Sequence, residues 1–280
     1  GILLGSTMAL LLDKSTGVIY SEDDLRQVVP LPILGRIPAP TATEQKSIEP
    51  AKVLQLAHRT DVPDSSSDVP AKAASNGKAA YIEDPFMEAF RSLYTNLRLS
   101  SIDRPLRSVV VSSVMASEGK SVTAIHLAEA AALLGKRVLL VDVNLRDPKV
   151  HSYLKLPNDA GLTELALGST DAIQISQFFQ EPIPRLKVIS AGTARVDPGQ
   201  VLTSNRFKQL VQQLQSKFDL VVFDAPALLG QSDAYLMAEQ TDGMLLVAHS
   251  GQLKRSLLEQ AMVQLRLSNT NIFGVALRDN

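Results

Sequence analysis

The sequence predicts an α/β fold, a doubly wound and mostly parallel sheet of the P-loop NTPase kind, on three observations. The apolar runs Val109–Val111, Val138–Val141 and Leu220–Phe223 are continuous rather than alternating, as expected of strands covered on both faces. Segments of helical length separate them, so the chain can cross over in the right-handed sense to a parallel neighbour. The first run leads through a small-residue loop into Gly119-Lys120-Ser121 at the head of an Ala-rich helix. That is the strand–loop–helix order of a phosphate-binding loop.

Taken from the start, residues 1–12 are apolar and Asp13-Lys14 ends them. A bilayer span takes about 20 residues, and no charged n-region marks a signal peptide. Residues 1–14 are therefore expected to be the end of a truncated transmembrane helix, a buried helix or strand being the other reading. Residues 15–38 read as a juxtamembrane segment, with a helix cap at Ser21-Glu-Asp-Asp24 and an extended stretch from Pro30 to Pro38. Residues 39–80 contain no aromatic side chain and are rich in Ala, Ser, Pro and charge. Such a segment buries too little surface to offset its ordering entropy, so a flexible linker is expected.

Residues 81–280 form the predicted nucleotide-binding domain. Strands are predicted at 107–112, 137–142, 186–190, 219–224, 243–248 and 271–277, and helices at 84–99, 120–134, 199–216, 231–240 and 253–268. The standard loop pattern has glycine five residues before Gly119, where this chain has Val114. The remaining chemistry is in place. Ala116, Ser117, Glu118, Gly119, Lys120, Ser121 and Val122 are the candidate nucleotide-binding residues. Amides and the helix dipole surround phosphate, Lys120 can reach the β and γ oxygens, and the Ser121 hydroxyl can ligate Mg²⁺. Asp142 and Asp224 each end an apolar strand. In an open parallel sheet both fall on the rim that holds the ligand, where Mg²⁺ needs anionic oxygen. Either aspartate alone would read equally as a turn former or helix cap.

These residues resemble the bacterial tyrosine kinases of polysaccharide co-polymerase systems, which are deviant P-loop ATPases. The resemblance is carried by Glu118-Gly119-Lys120-Ser121, Asp142-x-Asn144-x-Arg146, Asp224-Ala-Pro and Glu88-x-x-Arg91, and by Gly161-Leu-Thr-Glu-Leu, Asp197-Pro-Gly-Gln and Pro32-Ile-Leu-Gly35. It implies ATP and Mg²⁺ as cofactors and tyrosine phosphorylation as the activity. Asp142 becomes the candidate base beside Lys120, with Ser121 and Asp224 on the metal. It also implies a ring-like homo-oligomer through the Glu88/Arg91 helix and a membrane co-polymerase partner in the same or another chain. Work with the polysaccharide export machinery at the cytoplasmic face of the bacterial inner membrane completes the expectation.

The chain departs from that pattern at several positions. Ala116-Ser117 replaces Pro-Gly, Asn144 the second Asp, Tyr94 a third Arg, His126 an Asn and Ala227 a Pro. The family's Tyr-rich tail is not among these residues and the chain opens without Met, so a piece of a longer protein is expected. Asn144 makes the site one negative charge short. Arg146 is a phosphate or neighbour contact or a solvated Arg, His126 a packed residue, and Asp233 a site residue or a helix cap.

Composition narrows the classes. The 280 residues, 45% hydrophobic, suit one α/β domain of about 200 residues with appendages. A net charge of −1 and a pI near 6.5 offer no basic surface for nucleic acid. Zero cysteine fits a reducing compartment and excludes the iron–sulfur scaffold ATPases, which need thiolate ligands. Two alternatives remain beside the kinase: a catalytically weak ATP-binding assembly module, and a partitioning-type ATPase. The last class carries a signature Lys where this chain has Met115.

Overall fold

The structure is a computed structural model and describes residues 17–39, 84–101, 104–168 and 175–279. The expected membrane-helix end at 1–14 and the linker from residue 40 onward lie outside the described residues.

Helix α1 (Glu22–Val28) starts where the sequence placed a cap. The Ser21 hydroxyl accepts the Asp24 N–H at 3.2 Å, and the Asp24 carboxylate accepts the Ser21 N–H at 3.0 Å. The extended stretch that follows is strand β1 (Ile33–Ile37). Helix α2 (Pro85–Ser100), capped by Asp84 on the Phe86 N–H, buries Phe86, Phe90, Leu93, Tyr94 and Leu97 along one stripe. The nucleotide-binding core continues as β2 (Ser108–Ser113), α3 (Lys120–Leu133), β3 (Val138–Asp142), α4 (Val150–Leu154), α5 (Leu162–Leu167) and a 3₁₀ turn (Ile175–Phe178). Then come β4 (Gln180–Ile183), β5 (Leu186–Ile189), α6 (Pro198–Thr203), α7 (Asn205–Lys217), β6 (Leu220–Asp224), α8 (Asp233–Ala238), β7 (Met244–His249), α9 (Arg255–Leu267) and β8 (Ile272–Arg278).

The eight strands are ordered β1-β8-β7-β2-β6-β3-β5-β4, and every neighbouring pair is parallel except β4 against β5. All residues of β2, β3, β6 and β7 are buried. Helices α2, α3 and α4 cover one face and α1, α6, α7, α8 and α9 the other. The predicted doubly wound, mostly parallel sheet is present. Among the described residues no helix is long and apolar enough to cross a membrane.

Three local differences have physical causes. The single helix predicted at 199–216 is two, because Ser204 adopts an extended backbone (φ −65°, ψ 145°) and its hydroxyl caps α7 on the Phe207 N–H. The unpredicted β4 is a polar edge strand with a single neighbour, so no apolar run announces it. The segment from residue 17 to 39 is part of the same body. Leu25 and Ile37 are buried, β1 pairs with β8, and Gly35 lets the strand lie against Leu93, whose Cδ1 would sit 3.2 Å from a Cβ there.

Candidate nucleotide-binding site

The loop between β2 and α3 emerges from the middle of the sheet, with β6 and β7 on either side of β2. Its shape is set by short-range bonds. The Ser113 hydroxyl donates to the Met115 carbonyl at 2.6 Å, and the Met115 N–H donates to Glu118 Oε2 at 2.6 Å. Ser117 (φ 66°) and Gly119 (φ 87°) are left-handed, which turns the chain into α3. Val114, in the position of the pattern's first glycine, is fully buried in the core, so that turn needs no glycine.

Helix α3 has no side-chain cap and no acidic residue in its first turn. Its first N–H groups and the positive end of its dipole are therefore available to an anion. Lys120 and Val122 are half-buried, Ser121 is buried, and Ala116 and Ser117 are exposed on the loop. Glu118 is buried. Burial pushes its carboxyl up to about 7, against the lowering effect of backbone N–H groups and Lys120, and its Oε1 has no hydrogen-bond partner among the described residues.

Asp142 and Asp224 lie in register at the ends of β3 and β6, both fully buried. Asp142 accepts the N–H groups of Asn144, Lys149 and Val150, each at 3.1 Å, and so holds the following loop and the start of α4. Burial first, and the charge of Asp224 second, raise its carboxyl well above the usual range. Neither oxygen of Asp224 has a hydrogen-bond partner among the described residues. Burial pushes it up to about 7, with Ser121 and Lys120 pulling the other way. A buried carboxylate without partners suits a cation. Among the described residues no group of three or more His, Cys, Asp or Glu could hold a metal alone. A Mg²⁺ would therefore take Asp224 and the Ser121 hydroxyl and draw its remaining ligands from phosphate and water, as that ion usually does.

The neighbouring positions divide. Asn144 turns onto Asp147, donating to its carbonyl at 2.7 Å and accepting its N–H at 3.3 Å. Arg146 and Asp233, read separately from sequence, form a two-point ion pair at 2.9 and 3.3 Å, with Asp233 fully buried. Asp233 is thus neither a free site carboxylate nor the cap of α8, whose cap position is Ser232. His126 is packed as expected, against the rings of Phe86 and Phe90 (centroids 5.1 Å) and on Glu129 Oε2 at 3.0 Å. Glu88 and Arg91 form an exposed pair three residues apart at 3.4 Å, and Tyr94, one turn on, points into the core. One side chain that sequence reasoning missed also reaches the loop: Arg278, at the end of β8, lies against Gly119. Its only sequence signal is a basic residue closing the last predicted strand.

Comparison with known proteins fits this geometry. The family model of the ATPase MipZ matches residues 107–248, half of the chain. The chain is 34% identical over 190 residues to tyrosine-protein kinase YwqD of Bacillus subtilis (strain 168), an alignment covering 68% of this chain and 79% of that protein. It is 26% identical over 279 residues to tyrosine-protein kinase ptk of Acinetobacter johnsonii, covering 100% of this chain and 35% of that one. The chain thus spans about a third of that longer relative. The solved BceF tyrosine kinase domain superposes with a TM-score of 0.73 at 27% identity, covering 94% of this chain and 99% of that chain.

Proposed function

The chain belongs to the bacterial tyrosine-protein kinases and, over residues 107–248, to the ATPase MipZ family; from that premise we propose that it is an ATP-dependent protein-tyrosine kinase, phosphorylating copies of itself. In this reading it regulates the chain length and export of capsular or exopolysaccharide at the cytoplasmic face of the inner membrane. Its partners are a membrane co-polymerase, the export machinery, and a ring of its own copies.

The observation that carries the reading is Asp224, a buried carboxylate whose two oxygens have no hydrogen-bond partner among the described residues, beside Lys120 and Ser121 at the uncapped start of α3. Phosphoryl transfer asks a protein mainly for positioning and charge neutralisation. Lys120 and the amides at the head of α3 hold the β and γ phosphates. Ser121 and Asp224 would hold Mg²⁺, which when bound would neutralise charge on the phosphate oxygens. Asp142, its carboxyl raised by burial and by Asp224, takes the proton of the tyrosine hydroxyl as that oxygen bonds to the γ phosphorus and ADP leaves.

Lys120→Met tests this. A charge-assisted bond contributes about 1.5–3 kcal/mol, so Mg-ATP affinity should fall by one to two orders of magnitude. Transfer to a tyrosine peptide should vanish while the fold persists. Unchanged ATP affinity in the folded variant, measured by calorimetric titration, rules out this loop.

One observation favours the assembly-module reading: the side chain of Asn144 is neutral and tied to Asp147 rather than free for the metal. Saturable Mg-ATP binding without any tyrosine transfer would select it. Met115 stands where partitioning ATPases carry Lys and is partly exposed on the loop, which leaves that class without its signature charge.

A further inference from the structure

On the footing of the nucleotide site above, we propose that Arg278 contacts the phosphate chain of the bound nucleotide and that the N-terminal edge strand β1 sets its position. The strand β8 ends at Arg278 with β7 on one side and β1 on the other, Arg278 standing in register with His249 and with Ile37. From there its side chain reaches the phosphate loop. Its Cδ and Cζ would be 3.1 and 3.2 Å from a Cβ on Gly119, and its Nη1 nearer still. Gly119 is required by its left-handed backbone, and the flexible end of the Arg278 side chain lies close against it.

The guanidinium has no carboxylate and no hydrogen-bond acceptor among the described residues. No ion pair joins it to Glu118 or Asp224, and the adjacent Asp279 is taken by Arg36, whose Nε donates to both carboxylate oxygens at 2.8 and 2.9 Å. An arginine cannot shed its charge, and its planar fork matches phosphate oxygens. Here it converges with Lys120 and the positive end of α3 on one loop, an arrangement that favours a polyanion. A nucleoside polyphosphate is the ligand of that chemistry already placed at this loop.

Strand β1 supplies the anchorage. The Asp279 N–H donates to the Ile37 carbonyl at 2.9 Å, Arg36 clamps the Asp279 side chain, and the Arg278 carbonyl accepts the Ser250 N–H at 2.8 Å. With β1 undocked, β8 would become the sheet edge and residue 279 would lose both bonds to β1. Arg36 is therefore a positioning residue, and the segment of residues 17–39 is coupled to nucleotide affinity.

Calorimetric titration of the whole chain with Mg-ATP and with inorganic tripolyphosphate decides this. Arg278→Gln should weaken both ligands about tenfold or more, and Arg278→Lys by less, because a point charge replaces the fork. Arg36→Gln should weaken Mg-ATP a few-fold in the native background and have no effect once Arg278→Gln is present. Melting curves show that each variant is folded. Undiminished binding in Arg278→Gln and Arg278→Lys, with Lys120→Met still impaired, overturns the role of Arg278 and leaves the site reading intact. A loss for Mg-ATP with none for tripolyphosphate moves Arg278 to the base or sugar and overturns the phosphate contact. An Arg36→Gln effect that simply adds to that of Arg278→Gln overturns the coupling. No Mg-ATP binding by the native chain overturns both readings.

Discussion

Asp142 and Asp224 stand side by side in register on adjacent parallel strands, both fully buried, yet among the described residues only the Asp142 carboxylate has hydrogen-bond partners. Two like charges in a low-dielectric interior raise each other's affinity for protons, and burial adds to it. The three N–H groups on Asp142 give it a structural duty. Asp224 is left as the carboxylate that a cation can satisfy.

Asp224→Asn should therefore separate stability from function. Removing one of two adjacent buried carboxylates should raise the melting temperature of the nucleotide-free protein, by about 2–4 °C for each kcal/mol gained. Mg²⁺-dependent ATP affinity should fall at least about tenfold, since Mg²⁺ prefers carboxylate oxygen. Scanning calorimetry with and without Mg-ATP checks both, and a lower melting temperature with unchanged Mg²⁺ dependence would contradict this account.

Asp142→Ala leaves three N–H groups without their acceptor and frees the start of α4. Buried unsatisfied donors cost about 1–3 kcal/mol each before relaxation, so a loss of about 2–4 kcal/mol is expected by denaturant unfolding. Asp142→Asn keeps one acceptor oxygen and should lose less stability, yet phosphotransfer should disappear in both. Full transfer by Asp142→Asn would remove Asp142 from the role of proton acceptor.

Glu118 makes the free protein sensitive to pH. Its carboxyl sits near 7 in the fold against 4.5 unfolded. Between those values the native state holds more protons than the unfolded one, so this group's contribution is full below about pH 4.5 and is lost as pH rises through 7. Melting temperatures taken from pH 5 to 8 should fall less steeply in Glu118→Gln than in the native chain. Identical slopes would mean that Glu118 is ionised throughout.

Asn144→Asp places a carboxylate two residues after Asp142, on the rim where Mg²⁺ is proposed to bind. It also breaks the bond from the amide to the Asp147 carbonyl, for a stability loss of about 1 kcal/mol. Phosphotransfer should rise, most at low Mg²⁺, because carboxylate outcompetes amide oxygen for that ion. Equal rates across a Mg²⁺ series would show that position 144 has no catalytic part.

Glu88 and Arg91 occupy an exposed face of α2, where an isolated pair contributes only about 0.2–0.5 kcal/mol. If that face joins subunits into a ring, Glu88→Arg should shift concentration-dependent oligomers toward monomer, as read by light scattering coupled to size exclusion. A native chain that stays monomeric at every accessible concentration, with or without Mg-ATP, would count against the ring.

The sequence by itself determined the central strands, the loop at Gly119-Lys120-Ser121 and the two strand-ending aspartates. Those features are written locally: an apolar run long enough for a strand, a left-handed glycine, a carboxylate at a strand end. The tertiary structure decided the rest, because the rest depends on strand order and on contacts between distant segments. Pairing of β1 with β8 drew the segment of residues 17–39 into the sheet, although its residues between prolines read only as extended chain. Ser204 divided a continuous helical pattern, since its cap bond competes with the helix it interrupts. Arg146 met Asp233, and Arg278 met Gly119, only once the crossovers had placed the strand ends on one rim. Which aspartate is braced and which is left without a partner was likewise decided there, by backbone N–H groups of residues 144–150 turning onto Asp142 while, among the described residues, none reaches the equally buried Asp224 carboxylate.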